Sequence, residues 1–322
     1  MEYVRQTTSW KTGRKGRKMR RKIVAVGHRG TILDGPENSI HSHNRAFDMG
    51  ARGIEFDIQT TSDGVFVLFH DDDLEHKSTG NGPLRNKTRG DLQEIRLRKK
   101  IDGDITNHSI PTLKEALTNV EGRFMVELDF KRGPDNSEGI LRDVLMATGF
   151  DRNDAPLVTI FCRNSEDFDK VKGLNDICSV RPLYDDKEHV QEMSESDVRI
   201  MGLRNHQYKS KTVRFILRHE MQIFVNSMNR LKKKEAETRS AIFGAIAAAI
   251  INLFDKTPEK IYKKATKDGA LFIQTDDMPG LVKFLKSKNL YQDKALNRNL
   301  DPIDPFPPVL MVALDNDDVN IM

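Results

Sequence analysis

Gly53-Ile54-Glu55-Phe56-Asp57-Ile58-Gln59, followed closely by Val65-Phe66-Val67-Leu68-Phe69 and then His70-Asp71, decides the fold class. Both runs are short, apolar and rich in β-branched and aromatic residues, as strands are. In the first, Glu55 and Asp57 share one strand face and Phe56 takes the other. Similar runs recur at 23–27, 124–130, 157–161, 178–183, 198–203, 221–225 and 270–274. Amphipathic segments lie between them, near 38–49, 112–120, 135–148, 164–173, 185–194, 209–219, 234–254, 257–267 and 277–288. Strands alternating with helices require right-handed crossovers and a parallel sheet. About eight such units predict an α/β fold of the (β/α)8 TIM-barrel kind, which takes about 250 residues. The rival is a doubly wound open sheet. Against it, the first βα turn, Gly27-His28-Arg29-Gly30, is no G-x-G-x-x-G dinucleotide loop.

One connection is long. Residues 71–110 are polar and glycine-rich, with Ser78-Thr79-Gly80-Asn81-Gly82-Pro83 at their centre. Loops of that length are uncommon unless they serve a site, so a small insertion after the second strand is expected over one barrel mouth.

The charge is unevenly spread. Residues 1–22 hold nine bases against one acid, and 291–322 hold two bases against six acids. The body, 23–290, carries 41 of each sign, so the net +4 describes the tails. We expect a disordered basic N-terminal tail, a barrel over 23–290 and a Pro/Asp-rich C-terminal tail built around Asp301-Pro302-Ile303-Asp304-Pro305-Phe306-Pro307-Pro308. A neutral body is not that of a nucleic-acid binder. Cys162 and Cys178 make no disulfide framework, and no apolar segment follows the N-terminal bases, so a reducing, cytoplasmic setting is expected. The longest apolar stretch, 241–254, is broken by Asn252 and falls short of the roughly 20 residues a spanning helix needs. It is expected as a barrel-packing or interfacial helix. Lys232-Lys233-Lys234 before it, with the basic tail, offers peripheral contact with anionic membrane.

Chemistry collects at the ends of the first strands. His28-Arg29 ends strand one, Glu55 and Asp57 lie in strand two, His70-Asp71 closes the next run, and Glu127-Leu128-Asp129 repeats the pair of acids on one face. In a barrel these ends converge on one mouth. Burying several carboxylates alone is very unfavourable, and a hard divalent cation held by carboxylate oxygens relieves it. A cation and Arg29 would neutralise phosphate oxygens, while His28 and His70 would move protons near neutral pH. That combination suits cleavage of a phosphate ester.

These residues resemble the glycerophosphodiester phosphodiesterase family. The resemblance rests on His28-Arg29-Gly30, Pro36-Glu37-Asn38-Ser39, Gly53-Ile54-Glu55-Phe56-Asp57-Ile58-Gln59-Thr60 with Asp63-Gly64, and Phe69-His70-Asp71. It continues through Ser78-Thr79-Gly80-Asn81-Gly82, Ile110-Pro111-Thr112-Leu113 with Glu115-Ala116-Leu117, and Glu127, then returns weakly at Thr275-Asp276. The resemblance implies a TIM barrel with an insertion after the second strand. It implies Glu55, Asp57 and Glu127 as ligands of Mg²⁺ or Ca²⁺, and His28 and His70 as acid and base. Arg29 would hold the phosphate, and Glu37 and Asn38 would line the site. The implied substrate is a glycerophosphodiester, split to glycerol 3-phosphate and an alcohol.

Two departures bear on the substrate. The family's E-x-K pattern, aligned on Glu127, puts Asp129 where lysine is usual, and Lys131 compensates only if the strand end bends. The usual tryptophan-threonine pair of a late strand becomes Asn226-Ser227, which implies a more polar head-group pocket. Lysolipids are the alternative substrates, suggested by 241–254, and a non-catalytic binding barrel is the alternative suggested by the lost lysine. His41-Ser42-His43 resembles the H-x-H zinc pair of amidohydrolase barrels. It follows a helix-start signal, where residues two apart diverge, so a solvated helix face is expected.

Overall fold

Eight of the nine apolar runs become strands of one parallel sheet, and the run after β2 becomes its antiparallel partner. The computed structural model describes residues 22–33, 35–120, 122–152, 155–183, 187–195, 198, 200–204, 212, 215–216, 218–219, 222–226, 262–263, 270–293 and 310–313. The basic tail before Lys22, Lys232–234, the 241–254 segment, Ser227 and the proline-rich 301–308 lie outside the described residues.

The strands are β1 (Val24–Gly27), β2 (Gly53–Thr60), β6 (Met125–Arg132), β7 (Val158–Cys162), β8 (Ser179–Pro182), β9 (Ile200–Arg204), β10 (Gln222–Asn226), β11 (Ala270–Thr275) and β12 (Leu310–Ala313). Their order is β8-β7-β6-β2-β1-β11-β12-β10-β9, and every neighbouring pair is parallel. The two edge strands meet through a parallel bridge between Leu183 and Gly202, so the sheet rolls toward closure. The expected eight strands are all there. The ninth, β12, comes from the region read as a tail: four apolar residues wedge between β10 and β11.

Helices pack on the outer face. α1 (Ile40–Asp48) starts at Ser39, whose side chain accepts from the Ser42 amide at 3.0 Å while Ser42 Oγ accepts from the Ser39 amide at 3.2 Å. α2 (Leu113–Val120) buries Leu113, Ala116, Leu117 and Val120, the stripe expected of one helical face. α3 (Ser137–Ala147), α4 (Ser165–Asp169) and α5 (Lys187–Glu195) follow their strands in turn. α6 (Met278–Ser287) is capped by Asp277, which accepts from the Gly280 amide at 3.0 Å. Ile54, Phe56 and Ile58 of β2 point into this layer, which leaves Glu55 and Asp57 on the barrel interior.

The insertion is an ordered unit. β3 (Phe66–Leu68) returns antiparallel along β2, and Gln59 Nε2 donates to the carbonyls of Phe69 and Asp71 at 2.8 and 2.9 Å. A hairpin of β4 (Arg96–Arg98) and β5 (Ile105–Ser109) follows. Leu74, Leu84, Leu92, Leu97 and Ile110 pack with Val67 and Phe69 as a small core of their own.

The His41-Ser42-His43 segment corrects an expectation. His41 stacks on His108 of the insertion at 4.7 Å between ring centroids. His43 is fully buried, with its ring 4.5 Å from Phe56 and neither ring nitrogen hydrogen-bonded among the described residues. α1 carries this face toward the sheet, so His43 is a core residue held neutral. Burial, aided by Arg123, pushes its pKa down to about 3. An unfolded histidine titrates near 6.5, so below that pH the unfolded chain binds the proton the native chain refuses, and stability is lost as pH falls. From pH 7 to pH 5 this group accounts for a loss of about 2 kcal/mol. Urea titrations at the two pH values should show that loss in the parent protein and a correspondingly smaller one in His43→Leu. An equal loss in both would remove His43 as its source.

Candidate active site

The turn after β1 shapes the mouth. Arg29 and Asn38 have φ of 52° and 57°, a left-handed conformation uncommon for residues with a Cβ. The Arg29 carbonyl accepts from the Asn38 amide at 2.9 Å and from Ser42 Oγ at 3.1 Å, which ties the loop to α1. Gly30 lies against Ser42 so closely that a Cβ would clash. The strain places both side chains over β2. Arg29 Nε stands 2.8 Å from Asp57 Oδ2, and its Nη1 donates to Glu37 Oε1 at 3.1 Å. Its backbone amide donates to Glu55 Oε2 at 3.0 Å. Asn38 Nδ2 donates to Asp57 Oδ2 at 2.8 Å, and the Asp57 amide donates back to Asn38 Oδ1 at 3.2 Å. Asn38 therefore reaches into the mouth, and Ser39 is the helix cap.

β2 and β6 set the acids side by side. Glu55 pairs in register with Glu127, and Asp57 with Asp129. The acids brought together are Glu55, Asp57 and Asp129, each offering a carboxylate oxygen within 4.8 Å of the others. Glu127, expected as the third ligand, is not in this group. It faces Arg181, a fully buried guanidinium on β8 that also lies over the Phe161 ring, 4.3 Å from its centroid. An interior arginine needs a compensating anion, and Glu127 supplies it.

The lost lysine is also found. At the end of β6 the ladder slips, with Ile58 opposite Phe130 and Gln59 opposite Arg132, which leaves Lys131 as the bulged residue. The bend brings Lys131 Nζ to 2.9 Å from Asp57 Oδ1 and 3.0 Å from Asp129 Oδ2. Asp129-Phe130-Lys131 therefore presents the acid and, two residues on, the lysine. Arg163, just after β7, grips Asp129 from the other side at 2.6 and 3.2 Å.

The two histidines stand on either side of the acids. His28 Nδ1 lies 3.0 Å from Asp276 Oδ1, at the end of β11, and its Nε2 lies 4.0 Å from Glu55 Oε2. His70 Nδ1 lies 2.6 Å from Asp71 Oδ1. Lys77 of the insertion pairs with Glu37 and stands 3.2 Å from Asp71. Burial and Arg29 oppose charge on His28, but Asp276 and Glu55 outweigh them and raise its pKa to about 9. Burial pulls His70 below the usual range, against Asp57 and Asp71. Burial and the charge of Asp57 push the Glu55 carboxyl up, whereas Arg29 and Lys131 overcome burial at Asp57 and hold it ionised.

The acid group fits a hard divalent cation. Its donors are all carboxylate oxygens, and fully buried Asp57 Oδ1 accepts no hydrogen bond among the described residues, where Lys131 faces it as an ion pair.

Lys77, Arg163, Arg181 and Asp276 escaped the sequence reading. Arg181 left a trace, a charge inside the apolar strand Ser179-Val180-Arg181-Pro182, and Asp276 lay in a matched dipeptide without a role. Lys77 and Arg163 left none: Glu37 lies 40 residues from Lys77, and Asp129 lies 34 from Arg163. Asn226 ends β10 opposite Ala313 of β12.

Solved structures share this fold. A glycerophosphoryl diester phosphodiesterase from Parabacteroides distasonis superposes with a TM-score of 0.60 at 22% identity, over 86% of this chain and 90% of that one. An Oleispira antarctica phosphodiesterase, solved with the product sn-glycerol-3-phosphate, does so with a TM-score of 0.60 at 18% identity, over 82% and 96%. Among curated proteins, mouse glycerophosphodiester phosphodiesterase 1 is 32% identical over 130 residues, covering 39% of this chain and 39% of that protein. The glycerophosphodiester phosphodiesterase of Caldanaerobacter subterraneus subsp. tengcongensis is 32% identical over 113 residues, covering 35% and 46%. The matches thus span less than half the length of these two relatives. The sequence model of the Glycerophosphoryl diester phosphodiesterase family matches residues 28–234, from the turn after β1 to beyond β10. That is more than half of the chain, and the chain belongs to this family.

Proposed function

We propose that the protein hydrolyses glycerophosphodiesters to glycerol 3-phosphate and an alcohol, with a divalent cation, Mg²⁺ or Ca²⁺, held by Glu55, Asp57 and Asp129. The observation that carries this reading is the convergence of those three acids with two histidines at the C-terminal ends of the first strands. When bound, the cation would supply charge to offset the phosphate oxygens. The remaining roles belong to the chain itself. Arg29 and Lys131, both at the acid group, orient the phosphoryl oxygens. A carboxylate at each Nδ1 fixes the rings of His28 and His70 and turns each Nε2 to the mouth. One ring takes the proton of an attacking water or neighbouring glycerol hydroxyl as its oxygen bonds to phosphorus. The other gives a proton to the alcohol oxygen as its bond to phosphorus breaks. Glu37 holds Arg29 and Lys77 together at the rim.

The return of Lys131 to the acid group removes the motive for a non-catalytic barrel. The feature that suggested lysolipid substrates and membrane contact, 241–254, is outside the described residues, and no described helix is long and apolar enough to cross a membrane.

His70→Ala should lower turnover of glycerophosphodiesters by about a hundredfold to ten-thousandfold while thermal melting stays that of a folded protein. Near-normal turnover would sink the role given to His70. EDTA should abolish hydrolysis and Mg²⁺ or Ca²⁺ restore it, and indifference to chelation would argue against the cation. Calorimetric titration with Mg²⁺ separates the two ligand sets. Asp129→Asn should weaken binding sharply, whereas the double variant Glu127→Gln, Arg181→Gln, which removes both charges of the buried pair, should keep it. The reverse pattern would return Glu127 to the site.

A further inference from the structure

Two cations hold Asp129, and they do so differently. Lys131 Nζ reaches it at 3.0 Å and reaches Asp57 at 2.9 Å, so it sits among the acids. Arg163 approaches as a fork, Nη2 to Oδ2 at 2.6 Å and Nε to Oδ1 at 3.2 Å, and Asp129 is its one ion-pair partner among the described residues. Arg163 comes from the end of the neighbouring strand, where Cys162 pairs with Phe130, so its root is fixed by the sheet.

We infer that Arg163 is a positioning residue that orients Asp129 as a cation ligand, an inference that rests on the metal-dependent reading above. An ammonium group and a divalent cation cannot share the pair Asp57–Asp129 without repulsion. Lys131, a point charge on a flexible stem, must give way. The planar fork of Arg163 stays, because two hydrogen bonds leave about two of the carboxylate's four lone-pair positions for another partner. Without it, Asp129 would follow Lys131. Such outer partners of a ligand are worth about tenfold to a hundredfold in metal affinity. The opposing effect is direct repulsion between guanidinium and cation. It is the smaller one here, since the Arg163 side chain is 30% exposed and screened by solvent.

The test is calorimetric titration of the purified full chain with Mg²⁺ and with Ca²⁺, with melting in EDTA as the control for folding. Arg163→Ala should weaken binding by about tenfold to a hundredfold. Arg163→Lys, which keeps the charge without the fork, should recover only part of it. Lys131→Ala should bind as tightly as the parent or more tightly. In an Asp129→Gln background, where weak binding remains measurable at millimolar ion, adding Arg163→Ala should change nothing further, because the arginine acts through that carboxylate. If Arg163→Ala melts early, Arg163→Gln carries the comparison. Equal or tighter binding by the Arg163 variants overturns the inference and leaves the metal-dependent reading standing. A parent protein that binds neither ion overturns both.

Discussion

Like charge packed inside a barrel is the constraint on which the site depends. Glu55, Asp57 and Asp129 present oxygens within 4.8 Å of one another on two adjacent strands, out of water. Two unit charges at that separation repel by about 3 kcal/mol at an effective dielectric near 20. Every unusual local feature nearby answers that repulsion. The turn after β1 accepts two left-handed residues and in return delivers the Arg29 amide to Glu55, its guanidinium to Asp57, and the Asn38 amide group to Asp57. The end of β6 bulges and delivers Lys131. Local strain of this kind persists only where surrounding contacts over-determine it, and here the carboxylates do so.

Compensation comes in two layers. At the level of Glu55 and Glu127, Glu127 is matched by Arg181, which is fully buried and stacked on Phe161. Breaking such a pair strands a charge in the interior, so it is a fixed part of the barrel. One pleat nearer the mouth, Asp57 and Asp129 are matched by Lys131, whose flexible stem lets it leave. The division separates two acids that both have apolar neighbours in the sequence, Val126 and Leu128 around Glu127, Leu128 and Phe130 around Asp129. Alternation puts Glu127 and Asp129 on the same face; Asp129 is held by Lys131 and the partly exposed Arg163, whereas Glu127 is held by one fully buried arginine.

That residue marks the limit of what sequence alone reveals. Runs of apolar and β-branched residues were enough to locate the strands to within about two residues, because burial on both faces of a parallel sheet leaves a strong local pattern. The motif residues could be read because His28 and His70 follow strands and Glu55 and Asp57 interrupt an apolar one. The partner of Glu127 lies 54 residues away on β8, and no spacing rule connects them. Nor could β12 be anticipated: Leu310-Met311-Val312-Ala313 is short and follows Pro307-Pro308, so tail composition concealed a strand whose partners, β10 and β11, lie well upstream. His43 was misread for a related reason. The helix rule correctly separated it from His41, but which of the two faces the sheet depends on how α1 seats against Phe56.

The neutral body of the chain can now be counted where it matters. Sequence motifs alone set six acids at the mouth against Arg29. The structure adds Asp276 to Glu37, Glu55, Asp57, Asp71, Glu127 and Asp129, and adds Lys77, Lys131, Arg163 and Arg181 to Arg29. Among these described residues seven acids face five permanent bases, an excess of negative charge, although Lys100 also acts on Glu37. Titration follows that excess: burial and Asp57 drive Glu55 toward its protonated form, and against burial Asp276 draws a proton onto His28. A single positive charge, whether a monovalent ion or a further arginine, would offset less of that excess than a divalent cation. An exchangeable double charge at Glu55, Asp57 and Asp129 would balance the acids and leave the mouth open to an anion.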